Sequence, residues 1–411
     1  MLTVSSKKTM MNRVAMHNVL VINDDIVKEI LSYLPVKSLL RFKTVRKSWQ
    51  DIIGSWAFVK LHLENHCNNC SDNQGILVRG YDGNSHKWKL STKIIDCSKL
   101  RGESTLDGDC FMDPISRNEI PCCSRMIGPI DGLTCIYGIR PSTAIALYNP
   151  SLAETQFLPM SPISSTCNPD AYRRDVGFGF DYVHKDLKVV QLSIFSALSS
   201  EIRVEVYSQS TNTWKELDHQ IPNDMLIQTA IMPYKNGSLS FSHWLAFKSS
   251  RRVGGANYII LSFNLQNEVF EETPLPRRVH VAAYEGEVKL GFLAEDDSLI
   301  LLFYPLRRLN SPGDVVFERW VLNGLGDEGR WTRLSSISAG PLVEASEPLI
   351  LWKNRALVWE DYGMKKKLVF YNYCTQEVTN VIVIPPKQRA PSVLGYKGSL
   401  ISPAIFMKAQ L

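Results

Sequence analysis

At 411 residues, 45% of them hydrophobic and with a mean hydropathy of −0.10, the chain has room for one small module and one large domain with a substantial core. It has no run of about 18 apolar residues, which argues against a membrane span. The net charge of +5 sits in residues 1–60, where ten Lys/Arg face four Asp/Glu; the nearly neutral remainder has no nucleic-acid footprint.

Met1 to His17 carries Lys7, Lys8 and Arg13 but no apolar core of signal-peptide length, so residues 1–19 read as a flexible tail. The next stretch, Asp25-Ile26-Val27-Lys28-Glu29-Ile30-Leu31-Ser32-Tyr33-Leu34-Pro35, predicts a first helix capped by Asn23 or Asp24. Ile26, Ile30, Leu31 and Leu34 are expected on one face, and Pro35 ends the helix because its ring clashes with the preceding turn. Leu39, Leu40 and Val45 give a second apolar stripe. Trp49, Ile52 and Ile53 give a third, stopped by Gly54. Some 40 residues cannot bury so many large side chains alone, so the stripes need a partner surface.

These residues resemble the F-box, the helical module that docks a substrate receptor onto the adaptor of a cullin-based SCF ubiquitin ligase. The likeness covers about residues 20–63, and Leu34-Pro35-Val36-Lys37-Ser38-Leu39-Leu40-Arg41-Phe42-Lys43 is its most specific part. Two positions depart from it. Ile22-Asn23-Asp24-Asp25 lacks the opening proline, and Thr44-Val45-Arg46-Lys47 replaces the usual Cys-Val-Ser-Lys. The resemblance implies that Ile26, Ile30, Leu31, Leu34, Pro35, Leu39, Leu40, Phe42 and Trp49 carry the adaptor contact or order the helices that make it. The basic residues Lys37, Arg41, Lys43, Arg46 and Lys47 would suit an acidic partner.

Residues 64–75 read as a linker. The nine cysteines have no framework-like spacing, and without a secretion signal they are expected as reduced thiols in the cytosol or nucleus. His62, His66, Cys67 and Cys70 could in principle surround zinc, but a structural site joins two separated ligand pairs and no second Cys-x-x-Cys follows. No metal and no cofactor are expected.

Residues 76–405 alternate short β-rich runs with turns. A strand ending in an aromatic residue, a polar turn and an aromatic or apolar return recur. The series is Tyr81…Trp88, Tyr148…Phe157, Tyr207…Trp214, Phe263…Phe270, Trp320…Trp331 and Tyr371…Val378, at intervals of 67, 59, 56, 57 and 51 residues. These are read as outer hairpins of kelch-like propeller blades. Inner hairpins are expected around Asp131-Gly132, in Val176–Asp181 with Lys188-Val189-Val190, and around Asn236-Gly237. The rest of that series is Glu285-Gly286, Lys353-Asn354 and Lys397-Gly398. The last inner hairpin, about 393–405, and the first outer one, about 76–90, lack mates; pairing them would close a ring of about six blades. The fold class is thus a small all-α module followed by an all-β kelch-like propeller.

Ile127-Gly128-Pro129-Ile130-Asp131-Gly132-Leu133, Leu147-Tyr148-Asn149-Pro150-Ser151, Val176-Gly177-Phe178-Gly179-Phe180-Asp181 and Trp214-Lys215-Glu216-Leu217-Asp218 are similar to the plant F-box-associated domain. Within it the chain looks most like the S-locus F-box group, the pollen-side receptors of ribonuclease-based self-incompatibility. The resemblance implies a substrate receptor that partners the SCF adaptor and, through it, the cullin and RING subunits, with non-self S-locus ribonuclease as substrate. A receptor for a defence or hormone-pathway protein, and a scaffold that binds without degradation, are the alternatives.

An enzyme is the weaker reading. The phosphate loop, Gly-x-Ser-x-Gly and His-Glu-x-x-His are all missing from the sequence, and Gly177-x-Gly179 is not followed by the helix a dinucleotide needs. Substrate contact is expected from the long inter-strand segments, 98–126, 161–174 with Arg173 and Arg174, and 248–257 with Arg251 and Arg252. The acidic turn Glu295-Asp296-Asp297 would speed association with a basic ribonuclease.

Overall fold

A computed structural model describes residues 23–69, 75–82, 89–96, 102–105, 124–140, 144–170, 172–195, 201–218, 221–222, 225–236, 239–249, 256–279, 288–295, 298–305, 316–326, 329–338, 348–352, 355–362, 365–372, 374–384 and 392–404. The chain divides into two compact units, Met1–His66 and Cys67–Leu411.

In the first unit, α1 (Asp24–Ser32) is capped by Asn23, whose Oδ1 accepts from Asp25 N at 3.0 Å, while Asp24 and Asp25 favour the positive end of the helix dipole. Pro35 ends it and caps α2 (Val36–Phe42), its fixed φ of −59° suiting that position. After α3 (Lys47–Gly54) comes a helix the sequence pattern did not announce, α4 (Trp56–Asn69), which runs through the first half of the expected linker. It is tied back onto α1. His62 Nε2 lies 2.9 Å from Leu34 O, and Asn65 Nδ2 donates to Ser32 Oγ at 2.7 Å. Leu31, Leu39, Ile53, Phe58 and Val59 fill the interior.

The second unit is built of six sheets among the described residues. Blade 1 comprises β4 (Ser124–Ile130), β5 (Leu133–Gly138), β6 (Ile145–Asn149) and β7 (Glu154–Phe157). Blade 2 comprises β8 (Tyr172–Asp181), β9 (Asp186–Phe195), β10 (Ile202–Ser208) and β11 (Thr213–Leu217), preceded by the short α5 (Pro162–Thr166). Blade 3 holds β12 (Met225–Asn236), β13 (Leu239–Ser249), β14 (Ala256–Asn264) and β15 (Val269–Pro274). Blade 4 holds β16 (Val288–Glu295), β17 (Ser298–Pro305), β18 (Val316–Asn323) and β19 (Arg330–Arg333), with β20 (Ile337–Ser338) paired to β18. Blade 5 holds β21 (Pro348–Trp352), β22 (Arg355–Tyr362), β23 (Lys365–Asn372) and β24 (Glu377–Ile384), and β3 (Gly102–Thr105) adds a parallel fifth strand on β24.

The two ends of this unit complete the ring: β25 (Ser392–Tyr396) pairs antiparallel with β1 (Gly75–Asp82), which pairs with β2 (Lys89–Asp96). The expected closure is therefore present, but its register corrects the reading of both hairpins. β1 and β2 occupy the second and third positions of the closing sheet, so Tyr81…Trp88 is not an outer hairpin. The C-terminal partner supplies β25 alone. Residues 397–404 leave the sheet and strap across blades 1 and 2, with Ser399, Leu400 and Ile401 buried. Asn149 Nδ2 donates to Ser399 O at 3.0 Å and Ile401 O at 2.7 Å, and Gln209 Nε2 donates to Pro403 O. Gly132, at φ +80°, lies under this strap; a Cβ there would overlap the Ser399 side chain.

Blade 4 also departs from the expected pattern. Its inner hairpin is β16–β17, turning between Glu295 and Ser298; Tyr284-Glu285-Gly286-Glu287 lies outside the described residues. The aromatic-plus-Asn signature of the other outer hairpins has a local cause. Asn149, Asn264 and Asn372 end their strands and accept backbone N–H groups two residues on, at 2.8, 2.9 and 3.0 Å. Four residues after each, Ala153, Glu268 and Gln376 adopt positive φ and reverse the chain; Asp181 with Lys185 repeats the device in an inner hairpin. Gly177 serves packing instead: a Cβ there would overlap Ser242 of blade 3.

Candidate functional site

The first unit presents an apolar stripe it does not bury. On α1, Ile26 is 54%, Ile30 57% and Tyr33 52% exposed, at helical spacings of four and three residues, and Val45 before α3 is 65% exposed. Leu31, at 3%, and Leu39, at 0%, belong to the interior. The single face expected for Ile26, Ile30, Leu31 and Leu34 is thus split. Val27 and Leu31 point inward and Ile26 and Ile30 outward, because α4 occupies only one side of α1. Leu34, Leu40, Phe42 and Trp49 are half-buried and Pro35 is exposed. Phe42 and Trp49 meet edge to face with ring centroids 5.6 Å apart, which fixes α2 against α3. Exposed apolar residues scattered singly need no explanation, whereas a stripe beside a filled interior marks a contact surface.

The predicted substrate residues do not converge. Arg173 and Arg174 lie in β8 rather than in a loop, and both are spent on backbone carbonyls. Arg174 is buried and donates through Nε to Gly138 O at 2.8 Å, while Arg173 donates to Ile227 O of blade 3. Arg251, Arg252, Asp296 and Asp297 are outside the described residues, and Glu295 closes β16. Among the described residues no cluster of His, Cys, Asp and Glu fits a metal ion, and no helix is long and apolar enough to cross a membrane.

Buried charge in the propeller ties blades together. Lys188 Nζ reaches Asp181 Oδ2 at 3.0 Å within blade 2, and Glu268 Oε1 and Leu265 O of blade 3 at 2.9 Å each. Burial pushes both carboxyls up, but hydrogen bonds from His184 and Lys188 hold Asp181 below the usual range, and Lys188 and Lys215 do the same for Glu268. Burial likewise pulls Lys188 down, and the two carboxylates more than restore it. Depressed carboxylates contribute stability above their unfolded pKa and lose it as pH falls through their folded values. Stability from this cluster is therefore present at neutral pH and lost below about pH 4. Lys188→Met is expected to cost about 3–5 kcal/mol at pH 7, because buried Asp181 loses its lysine and Glu268 keeps only the exposed Lys215, and to flatten the acid limb of a melting-temperature profile. An acid limb identical to that of the native protein would remove the cluster from the account.

Two family models match the chain: "F-box domain" over residues 20–61 and "F-box associated beta propeller domain" over residues 112–403. Among similar proteins, F-box protein CPR1 from Arabidopsis thaliana is 25% identical over 410 residues, covering 92% of this chain and 89% of the relative. From the same plant, F-box protein At2g16450 is 24% identical, covering 84% and 78%, and F-box/kelch-repeat protein At3g23880 is 26% identical, covering 81% and 83%.

Proposed function

The chain belongs to the F-box-associated β-propeller family, with an F-box ahead of the propeller, and on that premise we propose that it is the substrate-recognition subunit of an SCF-type cullin ubiquitin ligase. Residues 20–63 dock the adaptor, which brings the cullin and RING subunits, and residues 76–405 present a protein substrate, with residues 64–75 joining them. The chain is not itself an enzyme. It contributes proximity, turning a bimolecular encounter into transfer within one assembly. The observation that carries this reading is the exposed stripe of Ile26, Ile30 and Tyr33 on a helical unit whose interior is already filled. Half-buried Leu34, Leu40, Phe42 and Trp49, with Pro35, extend that surface, while Leu31 and Leu39 order the helices beneath it.

The finer reading is ubiquitination and proteasomal loss of non-self S-locus ribonuclease, in the cytosol or nucleus of pollen. It rests on the likeness of the chain to the S-locus F-box group within the plant F-box-associated domain, whose motifs here are Ile127–Leu133, Leu147–Ser151, Val176–Asp181 and Trp214–Asp218. Co-purification with adaptor and cullin, then ubiquitination of purified S-locus ribonucleases in a reconstituted ligase, tests both levels. Folded protein that captures no adaptor would end the receptor reading. Adaptor capture without modification of any of the ribonucleases would leave a receptor for a different plant protein.

A further inference from the structure

Blades 2 and 4 carry the same device at their outer edges, and the comparison isolates what blade 4 adds. Matching Ser208↔Thr213 to Asn323↔Arg330 places Trp331 on Trp214, Glu318 on Arg203 and Arg333 on Glu216. Both tryptophans donate Nε1 to a proline carbonyl following the preceding blade's edge strand or ending it: Trp214 to Pro159 O at 2.8 Å, Trp331 to Pro274 O at 2.9 Å. The cross-strand ion pair has its signs exchanged. In blade 2, Arg203 grips Glu216 through two bonds of 2.7 and 2.8 Å, one cation to one anion. In blade 4, Arg333 Nη2 lies 3.2 Å from Glu318 Oε1, and Arg278 Nη2 lies 2.9 Å from the same oxygen. Arg278 stands four residues after Pro274, where blade 2 has the buried Ile163 four residues after Pro159.

One carboxylate therefore meets two guanidinium groups, with side chains 61% and 46% exposed for Arg278 and Arg333. Blade 2 shows that a single pair suffices to tie the strands, so the second cation is surplus to the fold. Two residues before Arg333 on β19, and so on the same face of the strand, is the half-buried Trp331. We propose that this rim between blades 3 and 4, formed by Arg278, Arg333 and Trp331, holds an acidic segment, a run of Asp and Glu side chains, of the protein the propeller recognises. The inference rests on the receptor reading above. Guanidinium forks match carboxylates in a planar, two-bond geometry that lysine cannot copy, and Arg and Trp are the side chains most often found as interface anchors. A partner that is basic throughout its contact surface would not be held here.

The test uses the full chain and a short fluorescent peptide of Asp and Glu, followed by anisotropy at low and high salt. Arg278→Glu is expected to weaken binding about tenfold or more, since it removes one fork and adds a like charge. Arg278→Ala should give a smaller loss in the same direction, and Lys60→Glu, an equal change of charge on exposed α4, should stay within about twofold. Failure of the native protein to bind the peptide, or equal weakening by Arg278→Glu and Lys60→Glu, would overturn the proposal. Adaptor capture by each protein is measured in parallel. Where it persists, a negative peptide result removes this rim alone; where the native protein lacks it, the receptor reading falls as well.

Discussion

Ile26→Asp is expected to abolish adaptor capture while leaving the helical unit folded. Ile26 lies in the first turn of α1, already more than half exposed, so its replacement removes little buried area. An acidic residue there also interacts favourably with the helix dipole, by about 0.3–1 kcal/mol, so the isolated unit should be no less stable. In a docked complex the same carboxylate would be desolvated without a partner, at about 3–5 kcal/mol, weakening the contact on the order of a hundred- to several-thousand-fold. Leu39→Ala works by the opposite route. Its side chain is fully buried, and truncation costs about 2–5 kcal/mol of folding stability, a large part of what a small module has. Circular dichroism and adaptor pull-down together separate the two cases. Ile26→Asp should lose binding with native helicity, and Leu39→Ala should lose both as temperature rises. A folded Ile26→Asp protein that binds the adaptor with native affinity would move the docking surface off this stripe.

Why the stripe escaped exact assignment follows from its neighbours in sequence. Ile30 and Leu31 are adjacent and both apolar, so periodicity alone places them on one broad face; the side that becomes interior is decided by α4, which packs against α1 through His62 and Asn65. α4 itself was hidden because Trp56, Phe58, Val59, Leu61 and Leu63 are spread around its circumference rather than gathered in one stripe. The caps and breaks, in contrast, are local chemistry. Asn23 and Pro35 act within a turn of themselves and were legible from residue type, whereas α3 runs through Gly54 and is broken one residue later at Ser55, which is extended at φ −74° and ψ 140°.

The propeller divides the same way. The Asn-ended strands and their positive-φ residue four positions on form a device contained in a hairpin, so Tyr148-Asn149, Phe263-Asn264 and Tyr371-Asn372 could be read directly. Tyr81…Trp88 shares the aromatic pattern, but its interval of 67 residues to Tyr148 was the discordant one among values of 51 to 59. In the observed sheet, Ile95-Asp96 ends the third strand, the place Tyr148-Asn149 takes in blade 1, and the spacing falls to 53. Arg173 and Arg174 were misread for a different reason. Their acceptors, Ile227 O and Gly138 O, lie more than thirty residues away in sequence, and nothing near an Arg-Arg pair announces a distant carbonyl.

Removing residues 397–411 should lower the melting temperature of the propeller by about 10 °C or more. The strap after β25 is not spare chain. Leu400 and Ile401 are almost fully buried, each contributing about 1.5–3 kcal/mol through burial. Its loss would also strand Asn149 Nδ2, which donates to Ser399 O and Ile401 O, at about 1–3 kcal/mol, while Gln209 Nε2 would lose Pro403 O and keep Gln156 Oε1. Entry of water offsets part of this, leaving about 5 kcal/mol, comparable with the lower end of a domain's whole stability. The effect is concentrated where the ring closes. Tyr396 OH, the last side chain of β25, donates to Asn149 Oδ1 at 3.1 Å and lies 2.8 Å from Ser151 Oγ, so the strap and the closing strand share one anchor in blade 1. Asn149→Ala should therefore reproduce a good part of the truncation, since it removes the strap's two bonds and the turn bond to Ser151 N together. Calorimetry of the three proteins decides the matter. If the 397–411 truncation melts with the native protein, the ring is closed by the β1–β25 pairing alone and the strap is a passenger.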